Sequence, residues 1–253
     1  MFPLRDENPT LNQPRATIAI IAINIFTWVF LQGFGTDPAL VSSLCQYGLI
    51  PGDLLGNLQP GNGFRISENL VCIISTDNST YSLFSSMFMH GGWMHIIGNM
   101  WFLWVFGDNV EDIMGSARFV VFYLLCGLGA AAAQILSNPG SAIPMVGASG
   151  AIGGIMGAYA LLYPRAHVHT FIFLGFYATT VAIPAVFMLG YWFLLQLLGG
   201  LPAIGASGGG VAFWAHIGGF LVGIGLIKIF TKNKLLEQHR ALTGVHRSKH
   251  RLF

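Results

Sequence analysis

The sequence predicts an all-α, polytopic membrane protein built as a bundle of six transmembrane helices. Of its 253 residues, 54% are hydrophobic and only 9% are charged, and the mean hydropathy is +0.64. A soluble globular domain has about 25% charged residues, so this composition excludes one. The apolar residues fall into six stretches, each close to the roughly 17–25 residues that a membrane-spanning helix needs.

These stretches and the polar segments around them divide the chain. They lie at residues 16–34, 93–113, 118–137, 149–164, 179–198 and 211–230. The first has no small-residue cleavage site behind it, so we interpret it as a retained span and not as a signal peptide. The second ends among Asp108, Glu111 and Asp112, which we interpret as its exit into water. The predicted units are a cytoplasmic segment at 1–15, a six-helix core at 16–230 and a basic cytoplasmic tail at 231–253.

The distribution of charge predicts the orientation in the membrane. The loop at 35–80 is acidic and contains Arg65 as its single basic residue, whereas Arg15, Arg165 and the tail fall on the opposite side. Because basic loops stay in the cytoplasm, both termini are predicted to be cytoplasmic. We expect a bacterial inner or plasma membrane protein surrounded by lipid. The formal net charge of +2 gives no indication of a nucleic-acid partner.

Two polar residues lie at similar depths in the predicted membrane core. With a rise of about 1.5 Å per residue, Ser149 stands about 24 Å above Arg165, and His216 about 18 Å above Lys228. An unpaired polar group in hydrocarbon costs on the order of 1–3 kcal/mol, so the pair is expected to interact as a nucleophile and its base. The alternatives are that Ser149 only caps a helix and that His216 bonds a backbone carbonyl.

A third polar residue and an irregular segment lie near the same level. Asn99 stands about 18 Å above Glu111 by the same helical rise. The segment 137–146 contains Pro139 and Pro144 and is predicted to enter the membrane as non-helical backbone. Such backbone is tolerated only where protein or a water-filled cavity surrounds it. We therefore expect a wet cavity open to the external side, as a hydrolase would require.

Small residues recur at helical spacing beside both candidate residues. They are Ser149, Gly153 and Gly157 on the fourth helix, and His216, Gly219 and Gly223 on the sixth. Faces of this kind let two helix backbones approach closely in a membrane. We therefore predict that the fourth and sixth helices pack through these glycines and bring the serine hydroxyl within hydrogen-bond reach of the histidine ring.

The chemistry that these residues favour is acyl transfer by a dyad. No Asp or Glu occurs between residues 112 and 237, so no carboxylate on the last three helices is available to complete a triad with His216. A serine that attacks a carbonyl also needs donors for the developing oxyanion. His95 and Asn99, four residues apart on one helix face, are predicted to supply them with the Ser149 backbone N–H. The alternative is that both bond only to neighbouring helices.

No metal or cofactor is predicted. A zinc site of His90, His95 and His216 would lack any carboxylate or thiolate ligand, and the HIIGN pattern is not the HExxH of a metalloprotease. The cysteines show no metal-ligand spacing. Cys45 and Cys72 would form a disulfide only if their loop faces an oxidising compartment, which the sequence leaves open.

Three short motifs occur in the order 90–99, 147–150 and 215–223, with the sequences HGGWMHIIGN, GASG and AHIGGFLVG. With these motifs the chain resembles the rhomboid family of intramembrane serine proteases over residues 16–230. The resemblance implies a six-helix core, Ser149 as nucleophile and His216 as general base and acid, with His95 and Asn99 at the oxyanion. It also implies single-span transmembrane proteins as substrates, cut near the outer edge of their helix.

Two positions differ from some members of that family. Where a tyrosine stacks on the catalytic histidine, this chain has Gly153, so another residue must hold His216. The Trp-Arg pair that some bacterial members carry in the first external loop is missing, and the sequence leaves open whether Phe64-Arg65 is its counterpart. The rival functions are a non-cleaving rhomboid-like protein that binds membrane helices and a transporter, although intramembrane charges for ion coupling are absent. The oligomeric state is not predicted.

Overall fold

The computed structural model describes residues 1–59, 61, 63–67, 70–73, 80–173, 175–204 and 210–242, and these are mostly helical. The helices are α1 (Arg15–Phe26), α2 (Ala39–Tyr47), α3 (Pro51–Leu54), α4 (Ser82–Ser85), α5 (Trp93–Met114), α6 (Ser116–Ser137), α7 (Ser149–Leu162), α8 (Ala185–Gly200), α9 (Phe213–Phe230) and α10 (Asn233–Leu242). A π-helical turn, Thr27–Leu31, extends α1, and short 3₁₀ turns occur at Gly33–Gly35 and Ser86–Phe88. The predicted tail beyond residue 242 lies outside the described residues.

The structure also contains short strands, and the all-α prediction omitted them. They are β1 (Phe2–Asp6), β2 (Gly63–Ser67), β3 (Leu70–Ile73), β4 (His167–Phe173) and β5 (Ala178–Pro184). β2 and β3 form an antiparallel hairpin, and β1, β4 and β5 form an antiparallel sheet in that order. The fifth apolar stretch therefore becomes helical at Ala185 and not at 179. Its first residues are rich in β-branched side chains, which favour a strand, and Pro184 precedes the helix.

By length and composition alone, two of the described helices are long and apolar enough to cross a membrane. These are Ser116–Ser137 and Phe213–Phe230, with mean hydropathies of 2.1 and 1.7. The apolar helices Arg15–Leu31, Ser149–Leu162 and Ala185–Gly200 are shorter. Length and composition thus identify two spans among the described residues, compared with the six that the sequence predicts.

α7 lies at the centre of the bundle, and its contact with α9 is made backbone to backbone. A Cβ atom added at Gly219 would lie 1.8 Å from the carbonyl oxygen of Gly150. One added at Gly223 would lie 2.0 Å from the carbonyl oxygen of Gly154. Both distances are far below any real contact, so only glycine fits at these positions of α9. Gly157 is equally close to Phe220, since its Cβ would lie 2.3 Å from that carbonyl oxygen.

The segment between α6 and α7 is non-helical, half-buried and held by the first long loop. Leu49 and Met145 exchange two backbone hydrogen bonds of 2.9 and 2.7 Å. The N–H of Gly52 donates to the carbonyl of Ser141 at 2.9 Å. These bonds satisfy backbone groups that a helix would otherwise satisfy internally. The loop therefore supports the approach of the chain to the first residue of α7.

A disulfide joins two elements of the same loop. Cys45 on α2 is bonded to Cys72 on β3, with 5.5 Å between their Cα atoms. The pairing that the sequence left open is therefore made in the structure. It ties the β2–β3 hairpin to the helical part of the loop that also pairs with residue 145.

The acidic end of α5 is buried and binds the N-terminal segment. Glu111 and Asp112 are only 3% and 4% exposed, so their interpretation as an exit into water was wrong. The Glu111 carboxylate accepts the backbone N–H groups of Ala16 and Thr17 at 2.9 and 2.8 Å, together with the hydroxyls of Thr17 and Ser116. Glu111 thus caps the first turn of α1, where free N–H groups and the helix dipole favour a negative charge.

Replacing Glu111 by alanine is expected to destabilise the fold strongly, because four donors would lose their acceptor. The cost is roughly 3 kcal/mol or more, equivalent to a fall of roughly 6–12 °C in melting temperature. Thermal unfolding in mild detergent measures it. The exposed Asp37→Asn variant is the matched control and should melt within about 2 °C of the wild type. Equal melting temperatures for Glu111→Ala and wild type would contradict this assignment.

Candidate active site

Ser149 and His216 meet at the contact between α7 and α9. Ser149 is the first residue of α7, and His216 is the fourth residue of α9. The Ser149 Oγ lies 2.7 Å from the His216 Nε2, a normal hydrogen-bond distance. The glycine contacts that follow within two turns on both helices set this separation. The arrangement places a hydroxyl against a potential proton acceptor, as nucleophilic catalysis by serine requires.

Gly147 shapes the turn that leads into α7. Its φ of +121° is a conformation that side-chain-bearing residues rarely adopt. A Cβ atom there would also lie 2.6 Å from His95 Nε2. Its backbone N–H donates to the carbonyl of Ser86 at 2.8 Å, which anchors the turn. Glycine therefore lets His95 approach the backbone just before Ser149.

His95 and Asn99 lie on one face of α5 and point at this turn. The Nδ1 of His95 accepts the N–H of Gly91 at 3.2 Å, so in the neutral ring Nε2 carries the proton and faces Gly147 as a donor. Asn99 is 7% exposed, and its Nδ2 has no hydrogen-bond partner. The first turn of α7 adds backbone N–H groups that have no intrahelical acceptor. Several donors therefore converge beside the Ser149 hydroxyl.

Two side chains of α8 hold the His216 ring, and sequence reasoning missed one of them. The Nδ1 of His216 lies 2.8 Å from the Oε1 of Gln196. The ring of Trp192 lies against the imidazole, with 5.7 Å between ring centroids. The signal in the sequence was a lone amide in the apolar run 185–198, four residues after a tryptophan.

Gly153 lies against the backbone of α9 and not against the histidine ring. A Cβ atom at this position would lie 3.0 Å from the carbonyl oxygen of His216. A larger residue here would require the backbone of α9 to shift by a few tenths of an ångström. Gly153 thus allows α7 and α9 to lie close together, and α8 supplies the side chains that hold the His216 ring.

A small cavity opens beside the serine. It has a volume of about 20 Å³ and is lined by Ser149, Gly147, Met145, Ala212 and other residues. That volume has room for one water molecule. Hydrolysis of an acyl-serine needs one water at this point.

The remaining histidines have different surroundings. His90 is fully buried and neither of its ring nitrogens has a partner. Its burial, with a smaller contribution from neighbouring His95, lowers the pKa of His90 to about 3, so its ring is neutral at physiological pH. His167 and His169 lie on β4 and contact Glu7. Among the residues that the structure describes, no three His, Cys, Asp or Glu side chains form a group that could hold a metal ion.

Comparison with known proteins gives consistent matches. A family model described as the rhomboid domain matches residues 77–233. Rhomboid protease GluP of Bacillus subtilis (strain 168) is 31% identical over 167 residues, which are 64% of this chain and 32% of that protein. Rhomboid protein 1, mitochondrial, of Saccharomyces cerevisiae is 26% identical over 152 residues, which are 58% of this chain and 40% of that protein. RHOMBOID-like protein 5 of Arabidopsis thaliana is 33% identical over 82 residues, or 32% of this chain and 26% of that protein.

The match therefore spans a quarter to two fifths of the length of these relatives. The matched domain covers more than half of this chain and contains the elements from α5 to α9 that surround Ser149 and His216. The helical bundle, the three motifs and these matches agree: the chain belongs to the rhomboid family.

Proposed function

We propose that this protein is an intramembrane serine endopeptidase that uses Ser149 as nucleophile and His216 as general base and acid. The observation that carries the proposal is the 2.7 Å separation between Ser149 Oγ and His216 Nε2, with the unpartnered Nδ2 of Asn99 at the turn before Ser149. The family membership and the protease names of relatives support a hydrolase of this kind. No cofactor takes part in the proposed reaction.

The proposed reaction passes through an acyl-enzyme. His216 Nε2 takes the hydroxyl proton as Ser149 Oγ attacks the scissile carbonyl, and it then gives that proton to the leaving amine. Water in the cavity beside Ser149 next attacks the acyl group, with His216 again acting as base. Release of the carboxylic acid restores the free serine. The ring must keep its Nε2 acceptor aimed at the serine throughout.

The proposed oxyanion site consists of His95, Asn99 and the Ser149 backbone N–H. The Nε2–H of His95 and the unpartnered Nδ2 of Asn99 both face the turn at Gly147. Donors placed before the reaction stabilise the charge that develops on the carbonyl oxygen without reorganising, and each is typically worth about 3–4 kcal/mol. An unpartnered buried amide is costly in a resting protein, which supports a role in the reaction.

The proposed substrates are single-span transmembrane proteins cut near the outer edge of their helix. The proposed enzyme crosses a lipid bilayer, such as a bacterial inner membrane, six times, with both termini cytoplasmic and the active site open to the external side. The disulfide in the loop at 35–80 supports an oxidising environment for that loop. A substrate helix must unwind before its carbonyls become accessible, since helical hydrogen bonds occupy them.

Labelling with a fluorophosphonate probe tests the nucleophile. The purified protein in mild detergent is expected to be labelled, whereas Ser149→Ala and His216→Ala should lose all or nearly all labelling. The reason is that the probe reacts only with a serine whose proton is removed by a base. In-gel fluorescence measures the label, and Ser43→Ala, which changes a serine in the loop at 35–80, is the matched control.

Two outcomes would contradict the proposal. Labelling that persists in Ser149→Ala would assign the reactive serine elsewhere. A folded wild type that is not labelled at all would favour the non-cleaving, helix-binding function.

Replacing Asn99 by alanine is expected to slow proteolysis without preventing substrate binding. Loss of one oxyanion donor should lower kcat by roughly 100-fold or more and leave KM nearly unchanged. Cleavage of a fluorogenic transmembrane peptide measures both constants. A rise in KM at constant kcat would assign Asn99 to substrate binding and remove it from the oxyanion site.

Substrate selection is expected to depend on helix stability at the outer boundary. Replacing glycine, proline or polar residues there by leucine should slow cleavage, because the segment would leave its helix less readily. Quantitative immunoblotting of matched substrates in vesicles measures the rates. Equal cleavage of the leucine-boundary substrate would contradict this selection.

A further inference from the structure

Gln196 contacts His216 on the side of the ring opposite Ser149. Its Oε1 lies 2.8 Å from Nδ1, while Nε2 of the same ring lies 2.7 Å from the serine Oγ. Gln196 is 8% exposed and occupies a polar position on an otherwise apolar helix. The amide is therefore withdrawn from solvent at a position where an apolar residue would pack without desolvation cost.

The orientation of the Gln196 amide is fixed by a second hydrogen bond. Its Nε2 donates to the backbone carbonyl of Trp192 at 3.2 Å. A carbonyl cannot donate, so the nitrogen of the amide must face Trp192 and the oxygen must face the histidine. The histidine nitrogen opposite an acceptor oxygen must carry the proton. His216 is thus held as the Nδ1–H tautomer, which leaves Nε2 free to accept from Ser149.

The end of α8 that carries Gln196 is itself tied to α9. The indole N–H of Trp214 donates to the carbonyl of Gly200 at 2.9 Å. A Cβ atom added at Gly199 would lie 2.5 Å from the ring of Phe213, so the two helices meet closely there. Trp192, one turn before Gln196, covers the face of the imidazole. The amide and the indole therefore constrain both the rotation and the tilt of the ring.

We propose that Gln196 is a positioning residue that fixes the tautomer and the orientation of His216, so that serine, histidine and glutamine form a hydrogen-bonded Ser-His-Gln triad. This inference rests on the proposed function and adds to it a third residue. In serine hydrolases a buried carboxylate orients the histidine from Nδ1. Here a neutral amide performs the orientation, which avoids burying a charge in the membrane core.

The test compares Gln196→Met, which keeps the length of the side chain without its acceptor, with Gln196→Glu. Gln196→Met should label with fluorophosphonate roughly 10- to 100-fold more slowly, since a hydrogen bond that holds the reactive geometry is lost. Gln238→Met is the matched control. It removes an exposed glutamine on α10, which follows the opposite end of α9 from His216. Its labelling rate should stay within about twofold of the wild type.

The pH dependence of labelling separates a positioning role from a packing role. Gln196→Glu should recover most of the rate and move the acidic limb of the pH–rate profile to higher pH by roughly one unit, because a carboxylate at Nδ1 favours the protonated ring. Among the described residues of the wild type, His95 is the titratable side chain that acts electrostatically on His216. It is unchanged in every variant. An unshifted profile in Gln196→Glu, or an undiminished rate in Gln196→Met, would overturn the proposal.

A second measurement tests the same contact without catalysis. In ¹⁵N-histidine NMR spectra of the full-length protein, assigned with His216→Ala, the wild type should show His216 as the Nδ1–H tautomer. Gln196→Met should show a mixture of tautomers, and a spectrum identical to the wild type would contradict the role of Gln196. Absence of probe labelling in the wild type would instead reject the proposed function, while the spectra would still decide the tautomer.

Discussion

The close contact between the backbones of α7 and α9 is the constraint on which the rest of the site depends. Carbonyl groups of Gly150 and Gly154 occupy the space that side chains would need at Gly219 and Gly223. In lipid there is no hydrophobic force between apolar helices, so such van der Waals contact is a main source of association. Because the contact lies within one or two turns of Ser149 and His216, it fixes their separation to a hydrogen-bond distance.

Supports at both ends of the helical bundle hold the other elements against this pair. At one end the loop at 35–80 pairs with Met145 and so fixes the turn before α7. At the other end Glu111 and Asp112 bind the N-terminal segment through buried carboxylates, which ties α5 to the start of α1. α5 carries His95 and Asn99 to the turn at 147. The proposed oxyanion donors are thus held by contacts at the far end of their own helix.

α8 completes the site in a way that differs from the glycine contacts. Its N-terminal end follows β5, and its C-terminal end is joined to α9 near Gly200. Between these ends, Trp192 and Gln196 contact the His216 ring and hold it in place. Gly153 has no side chain that could do so. A bulky residue on α7 would disturb the helix contact. In this chain the support for the ring comes from α8.

The sequence alone predicted a helical bundle because the signals for helices are local and periodic. Apolar stretches, the glycine spacing and the motif positions follow from helical geometry, and they identified Ser149, His216, His95 and Asn99 as neighbours. β5 was missed because its residues belong to the same apolar stretch as the helix that follows it. Glu111 and Asp112 were misinterpreted since composition does not reveal a partner about 100 residues away.

Only the tertiary structure decided which residue holds the histidine. α8 is apolar around most of its circumference, so its sequence does not define the face that meets α9, and Gln196 had no visible partner. The pairing of Cys45 with Cys72 likewise depended on how α2 and the β2–β3 hairpin fold together. Helical periodicity determines which residues share a face, whereas contacts between separate elements depend on how those elements pack in three dimensions.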